Sequence, residues 1–170
     1  MADIPDVLVL KRHRDLQGRD WHRPIRWSLM TLVAVIPVLA LANIFGQHAS
    51  TARAGVLTLR APTTVRSGLL FGARFTIRPQ TALRDATLVL APGWGDGLTI
   101  NTIEPSPIDE GSDNGRLSFD LGHIAAGNKY RLFMDFQVNP NNVGSRDQDI
   151  ELLDGKTHIT TIHRSMFVFP

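Results

Sequence analysis

Cysteine is absent from the 170 residues, and tyrosine occurs only once. Without a thiol there is no disulfide frame, no thiolate metal site and no cysteine nucleophile. The chain also lacks a G-x-S-x-G elbow, an S-x-x-K or H-E-x-x-H motif, a Walker loop and a dinucleotide fingerprint. Serines and aspartates are scattered with no nucleophile and base placed together, so no catalytic residue and no cofactor site is assigned. The six histidines give no metal site either. His158 and His163 are the closest useful pair, and five apart on a strand they fall on opposite faces unless a bulge intervenes. The acidic stretch 109–115 has carboxylates at alternate positions, but Gly111 stands where a calcium loop needs its third-position acid, and Asp120 where it needs a bidentate Glu. It reads as a hairpin loop kept soluble by charge, and the loop 139–149 has the same character.

Net charge is scarce too. The formal total is +2, and residues 1–26 hold six of the 18 Lys/Arg and four of the 16 Asp/Glu, so the remaining 12 and 12 cancel. The whole imbalance therefore belongs to a short basic tail, which argues against nucleic acid as the partner.

Charge is missing altogether from residues 27–52. Within them, 27–46 reads WSLMTLVAVIPVLALANIFG, with Ser28, Thr31 and Asn43 as its polar side chains. Twenty helical residues rise about 30 Å, the thickness of a bilayer's hydrocarbon core. The pattern predicts a single transmembrane helix over 27–46, with a kink at Pro37. Arg19, Arg23 and Arg26 precede it while only Arg53 and Arg60 follow closely, which places the N-terminus in the cytoplasm and the C-terminal part outside. Trp21 and Trp27 stand where interfacial aromatics anchor a helix, with Arg23 and Arg26 able to reach the phosphates. Ala40-Leu41-Ala42 and Ala52-Arg53-Ala54 have the form of signal-peptide cleavage sites. The 26-residue leader and the length of the apolar run favour an uncleaved anchor.

After a linker at 47–55 the pattern changes to short alternating runs punctuated by Gly, Pro, Asn and Asp. About seven such runs predict an all-β ectodomain over 56–170, an immunoglobulin-like antiparallel β-sandwich. In 71–78, Phe71, Ala73, Phe75 and Ile77 alternate with Gly72, Arg74, Thr76 and Arg78, giving one core face and one wet face. Ala86, Leu88 and Leu90 form another inward set, as do Leu117, Phe119 and Leu121. Tyr130, Leu132, Met134, Phe136 and Val138 follow the turn Ala125-Ala126-Gly127-Asn128. A two-residue Asp154-Gly155 loop predicts a hairpin with Ile150 opposite Ile159 and Glu151 opposite His158. The last strand covers 165–169.

The segment LSFDLGHIAAGNKYRLFMDFQV, residues 117–138, resembles bacterial immunoglobulin-like modules of the cell-adhesion-related (CARDB-like) kind in its order of strand, Leu-Gly, small-residue turn and long strand. The resemblance covers roughly the second half of the outer domain. It implies a fold and an interaction role, and carries no catalytic residues. Such modules often recur in tandem in large surface proteins, whereas one copy stands here.

Two aromatics stand apart from the core pattern. Trp94 lies in the loop Pro92-Gly93-Trp94-Gly95-Asp96-Gly97; exposed, it is a hot spot for a partner or a sugar ring, and folded back it plugs one end of the sandwich. Phe133 falls on the outer face between Arg131 and Asp135. With Asn43 near the outer end of the helix, Trp94, Phe133 and Arg131 are the candidate partner-binding residues.

The function expected from the sequence is a non-catalytic, single-pass accessory subunit in a bacterial inner membrane. Its outward sandwich would bind and stabilise, or help assemble, an integral membrane complex such as a transporter, respiratory or photosynthetic assembly. The partners are then that complex and the lipid bilayer, with no small-molecule substrate. The alternative is an envelope ligand-binding or adhesion module that recognises a glycan or surface polymer.

Overall fold

The computed structural model describes residues 22–41 and 49–170, with side chains from 24–38 and from 49 onward. The chain divides into two units, Met1–Gly46 and Gln47–Pro170.

In the first unit, helix α1 spans His22–Leu41 and runs through Pro37. It starts five residues earlier than the apolar run, because a helix needs no apolar side chain in its first turn, where Arg23 stands. The Thr31 hydroxyl is tied back to the Trp27 carbonyl at 2.8 Å, so this polar side chain is satisfied within its own helix. Among the described residues no helix is long and apolar enough to cross a membrane. The expected span 27–46 is therefore not met by the described helix, which ends at Leu41. The rest of that span, Asn43 included, and also Trp21 lie outside the described residues.

The second unit is an antiparallel β-sandwich. Its strands are β1 (Ala49–Ala54), β2 (Leu57–Pro62), β3 (Thr64–Arg66), β4 (Leu70–Ile77), β5 (Leu83–Leu90) and β6 (Leu98–Glu104). They continue as β7 (Asp109–Asp113), β8 (Arg116–Ile124), β9 (Tyr130–Val138), β10 (Gly144–Asp147), β11 (Ile150–Asp154), β12 (Thr157–Ile162) and β13 (Ser165–Phe169). One five-stranded sheet has the order β1-β2-β4-β9-β6, and the other β12-β11-β5-β8-β7. A three-stranded sheet, β10-β13-β3, completes the domain, and its β13–β3 pair is parallel.

The alternating runs explain the core. Phe71, Ala73, Phe75 and Ile77 of β4 and Leu132, Met134, Phe136 and Val138 of β9 are all buried. From the facing sheet come Ala86, Leu88 and Leu90 of β5, Phe119 and Leu121 of β8, and Ile150 and Leu152 of β11, in one continuous cluster. The turn at 125–128 forms as read. Asn128 donates to the Ala125 carbonyl, and Gly127 at φ +75° occupies the position where such a turn needs a left-handed residue.

Four strands arise where loops or a linker were expected. The linker 47–55 contains β1, which pairs along its whole length with β2, from Ala49↔Pro62 to Ala54↔Leu57. The acidic stretch is β7, an edge strand closed onto β8 by Asn114-Gly115, both at positive φ (50° and 77°). That dipeptide is the strongest short-range hairpin signal and explains why a polar segment forms a strand. Its charges suit an edge that must not recruit another strand. β10 forms within the loop 139–149 and pairs with β13, and β3 lies in the interval left unassigned between 61 and 71.

The terminal hairpin differs in register. The loop residues are Gly155 and Lys156, Leu153 faces His158, and a bulge at Ile159 shifts the pairing so that Ile150 faces Ile162 and Glu151 faces Thr161. Two effects decide this. The Asp154 carboxylate accepts the backbone N–H groups of Arg84 and Asp85, each at 2.8 Å, which holds Asp154 in the strand. The bulge then puts Ile162 into the core while Ile159 faces out.

Gln148 is fully buried in the connection between β10 and β11, and neither atom of its amide has a protein partner. A buried amide without partners costs about 1–3 kcal/mol. Gln148→Met, of similar volume, is expected to raise stability by about 1 kcal/mol. Urea unfolding checks this as a higher midpoint at unchanged slope; a lower midpoint means the amide is satisfied.

Candidate functional site

The outer face of the first sheet carries the most unusual chemistry among the described residues. Alternation on each strand sends one set of side chains inward, so the remaining set is fixed by parity. On β1 it is Thr51 and Arg53, on β2 Thr58 and Arg60, on β4 Arg74 and Thr76, and on β9 Arg131 and Phe133. The register aligns them in two rows. Arg60 stands between Thr51 and Arg74, which in turn faces Phe133; Arg53, Thr58, Thr76 and Arg131 form the adjoining row.

The four arginines are all exposed. Ion pairs among the described residues join Arg116 to Glu151 and His163 to Asp149, so none of the four has an acidic partner. Strands β1, β2 and β4 contain no Asp or Glu. Two acids share the face: Glu104 on β6 is directly opposite Phe133, and Asp135 on β9 is directly opposite Gly72 and lines a second cleft with Arg60, Arg74 and Phe133. The Arg74 guanidinium lies 4.7 Å over the Phe133 ring, which fixes one arginine and covers part of the ring. Together with Lys129, these rows line an open cleft of about 460 Å³.

The outer face of the second sheet is of opposite character. Asp109 is directly opposite Asp120, and Glu151 lies on the same face, answered by Arg116 at 2.7 Å. The balanced charge of the domain is thus sorted onto different sides.

The sequence candidates fare differently. Phe133 and Arg131 do lie on the open face, with Phe133 39% exposed. Trp94 is a correction: it has no exposed surface and is not available as a partner hot spot. A 3-10 turn at Pro92–Trp94 folds the indole into the core, 5.1 Å from the Phe136 ring and 5.8 Å from Phe75. Arg164 lies over the same ring at 5.8 Å, and its burial pulls the guanidinium down to about 10, so it stays charged at neutral pH. Arg26 and Trp27 are exposed on α1, Arg23 stands in its first turn, and Trp21 and Asn43 lie outside the described residues.

Sequence reasoning missed Arg53, Arg60 and Arg74 as site residues. Parity had marked Arg74 as outward, but nothing local says that β1, β2, β4 and β9 are neighbours. The two histidines near the C-terminus are used separately, His158 against Thr161 and His163 against Asp149, each at 2.7 Å. Among the described residues no group of three or more His, Asp or Glu is arranged to hold a metal.

No protein-family model and no curated protein matches the chain. Solved structures do resemble it in shape. A non-cellulosomal cohesin from the archaeon Archaeoglobus fulgidus shares 14% identity at a TM-score of 0.43, over 68% of this chain and 93% of that one. The reeler domain of human F-spondin shares 11% at 0.40, over 68% and 90%. WR4, a C. elegans MSP family member, shares 9% at 0.35, over 68% and 100%. At these scores no function follows, and the sandwich stands on its own strand order.

Proposed function

We propose that the protein is a non-catalytic binding module of the bacterial envelope. In this reading a single immunoglobulin-like domain of the cell-adhesion-related kind is carried outside the cytoplasmic membrane by its N-terminal segment. It recognises a surface polymer through the outer face of β1, β2, β4 and β9. The observation that carries the reading is the set of four exposed arginines without acidic partners around Phe133 on one regular face. A permanent protein interface needs a dehydrated apolar centre. Here a single aromatic ring stands among guanidinium and hydroxyl groups, a composition suited to an elongated, solvated ligand.

Membrane placement draws its support from α1. Leu29, Met30, Leu32, Val33, Ile36 and Val38 are each more than half exposed, on all sides of the helix. Apolar side chains all round a helix call for lipid or other helices as their surroundings. The same feature supports the second reading, an accessory subunit whose helix packs within an integral membrane complex.

The test is cosedimentation of the full-length protein, in mild detergent, with purified bacterial cell-wall sacculi. Wild type is expected in the pellet and Arg60→Gln/Arg74→Gln in the supernatant. Stoichiometric copurification with multi-spanning proteins, with no retention on sacculi, would overturn the polymer reading in favour of the accessory subunit.

A further inference from the structure

We infer that the ligand of this face is a linear polyanion, whose repeated phosphate or carboxylate groups are bound by Arg53, Arg60, Arg74 and Arg131. The inference rests on the polymer-binding reading and adds the ligand's charge.

Geometry is the first argument. The four arginines lie on four adjacent strands, β1, β2, β4 and β9. At about 4.8 Å per strand and about 7 Å between same-face positions, the set covers roughly 14 by 7 Å. That extent exceeds a single phosphate and matches several successive charges of an extended polymer. Thr58 and Thr76 stand between Arg53 and Arg131, and Thr51 ends the other row beside Arg60, so hydroxyl donors lie along the same two rows. The cleft is partly open to solvent rather than enclosed, which leaves room for an extended chain.

Electrostatics is the second. Arg60 and Arg74 are directly opposite one another across β2 and β4, an arrangement that disfavours the sheet when the charges are alike. Strands β1, β2 and β4 bear no acid, and Asp135 of β9, which lines a cleft with both arginines, forms an ion pair with neither. An anion seated between the two guanidiniums removes the repulsion, and Arg guanidinium geometry suits bidentate binding of phosphate or carboxylate. Arg74 is already held over Phe133, so less ordering is needed on binding. The acidic outer face of the second sheet repels the same ligand and orients its approach. Among the described residues Phe133 is the one aromatic on the face, whereas single-stranded nucleic acid needs successive rings for its bases. The charged groups of the polymer, and not stacked bases, are therefore what the face reads.

The experiment measures binding of the full-length chain in neutral detergent to polyphosphate, polygalacturonate, dextran and duplex DNA over a range of NaCl. Four contacts predict a slope of log affinity against log salt of about −3, hence roughly 50-fold weaker binding at 200 mM than at 50 mM. Arg60→Gln/Arg74→Gln is expected to halve the slope and weaken low-salt binding at least tenfold, by about the same factor as Arg53→Gln/Arg131→Gln, because both pairs lie on the one site. Arg116→Gln, on the other sheet, is expected to bind as wild type. A preference between polyphosphate and polygalacturonate assigns phosphate or carboxylate as the natural group. Unchanged binding by both double variants, salt-independent binding, or preference for DNA overturns the inference. Dextran bound with the polyanions ignored removes the charge assignment and leaves the polymer reading standing; no binding to any probe removes both.

Discussion

Trp94→Ala is expected to lower the thermal midpoint of the sandwich by roughly 10–20 °C, the largest effect of any single side chain on this fold. Trp94 has no exposed surface. Its ring meets Phe136 at 5.1 Å and Phe75 at 5.8 Å, and Phe136 in turn stacks on Phe71 at 5.3 Å. Deleting the indole removes the link between Phe136 and Phe75 in this aromatic chain and opens a cavity that surrounding β-strands cannot close. Trp→Ala in a core costs about 3–5 kcal/mol, against a total stability of about 5–15 kcal/mol for an ordinary domain. Arg164 would lose the ring beneath its guanidinium while remaining largely out of water. Thermal unfolding followed by circular dichroism is the measurement. An unchanged midpoint with lost ligand binding would mean that Trp94 is a surface residue after all.

Gly93→Ala is expected to cost about 3 kcal/mol or more through the backbone alone. A Cβ at position 93 would sit 2.1 Å from the Asp147 carbonyl oxygen and 2.9 Å from its carbon. Those atoms belong to β10, which is tied to β13 by a register that runs from Gly144↔Val168 to Asp147↔Ser165. Neither side has a flexible side chain that can give way. The turn at Pro92–Trp94 must therefore move off β10 and take the indole with it, so the two predictions are coupled. Combined, Gly93→Ala and Trp94→Ala should cost less than the sum of the single changes, which a double-mutant cycle measures by urea unfolding. Full additivity would show that the turn does not position the indole.

The fold was legible where alternation is strong and local. In β4 and β9 the apolar positions recur at every second residue, so the inward set could be named without knowing the partner strand. The last strand, 165–169, carries an apolar run, and β13 has those bounds. Legibility failed where a strand carries little or no apolar face. β7 reads DEGSD and is recruited by pairing with a neighbour alone, and β1 reads ASTARA, with only Ala52 and Ala54 partly buried against the core. For β7 a signal was present in Asn114-Gly115. For β1 there was none, because an edge strand of small polar residues is indistinguishable from a linker until β2 lies beside it.

The hairpin of β11 and β12 shows the same limit at finer scale. Asp154-Gly155 carries the composition of a turn, yet the Asp154 side chain is claimed by the N–H groups of Arg84 and Asp85, about 70 residues earlier in the chain. A local preference of about 1 kcal/mol is overridden by two charge-assisted hydrogen bonds that exist only once β5 lies next to β11.

By itself the sequence determined the absence of thiol chemistry, the charge-free apolar segment, the β-rich C-terminal domain and the inward face of its best strands. Each of these depends on composition or on spacing within one element, which the covalent chain fixes. Tertiary structure alone decided that Trp94 is core and that Arg53, Arg60, Arg74 and Arg131 share a face. Burial of a loop aromatic depends on what closes over it, here Arg164, Phe75 and Phe136. A charge cluster depends on strand order, and a domain with 12 basic and 12 acidic residues is electrically silent in sequence until β1-β2-β4-β9 gathers four arginines on one side.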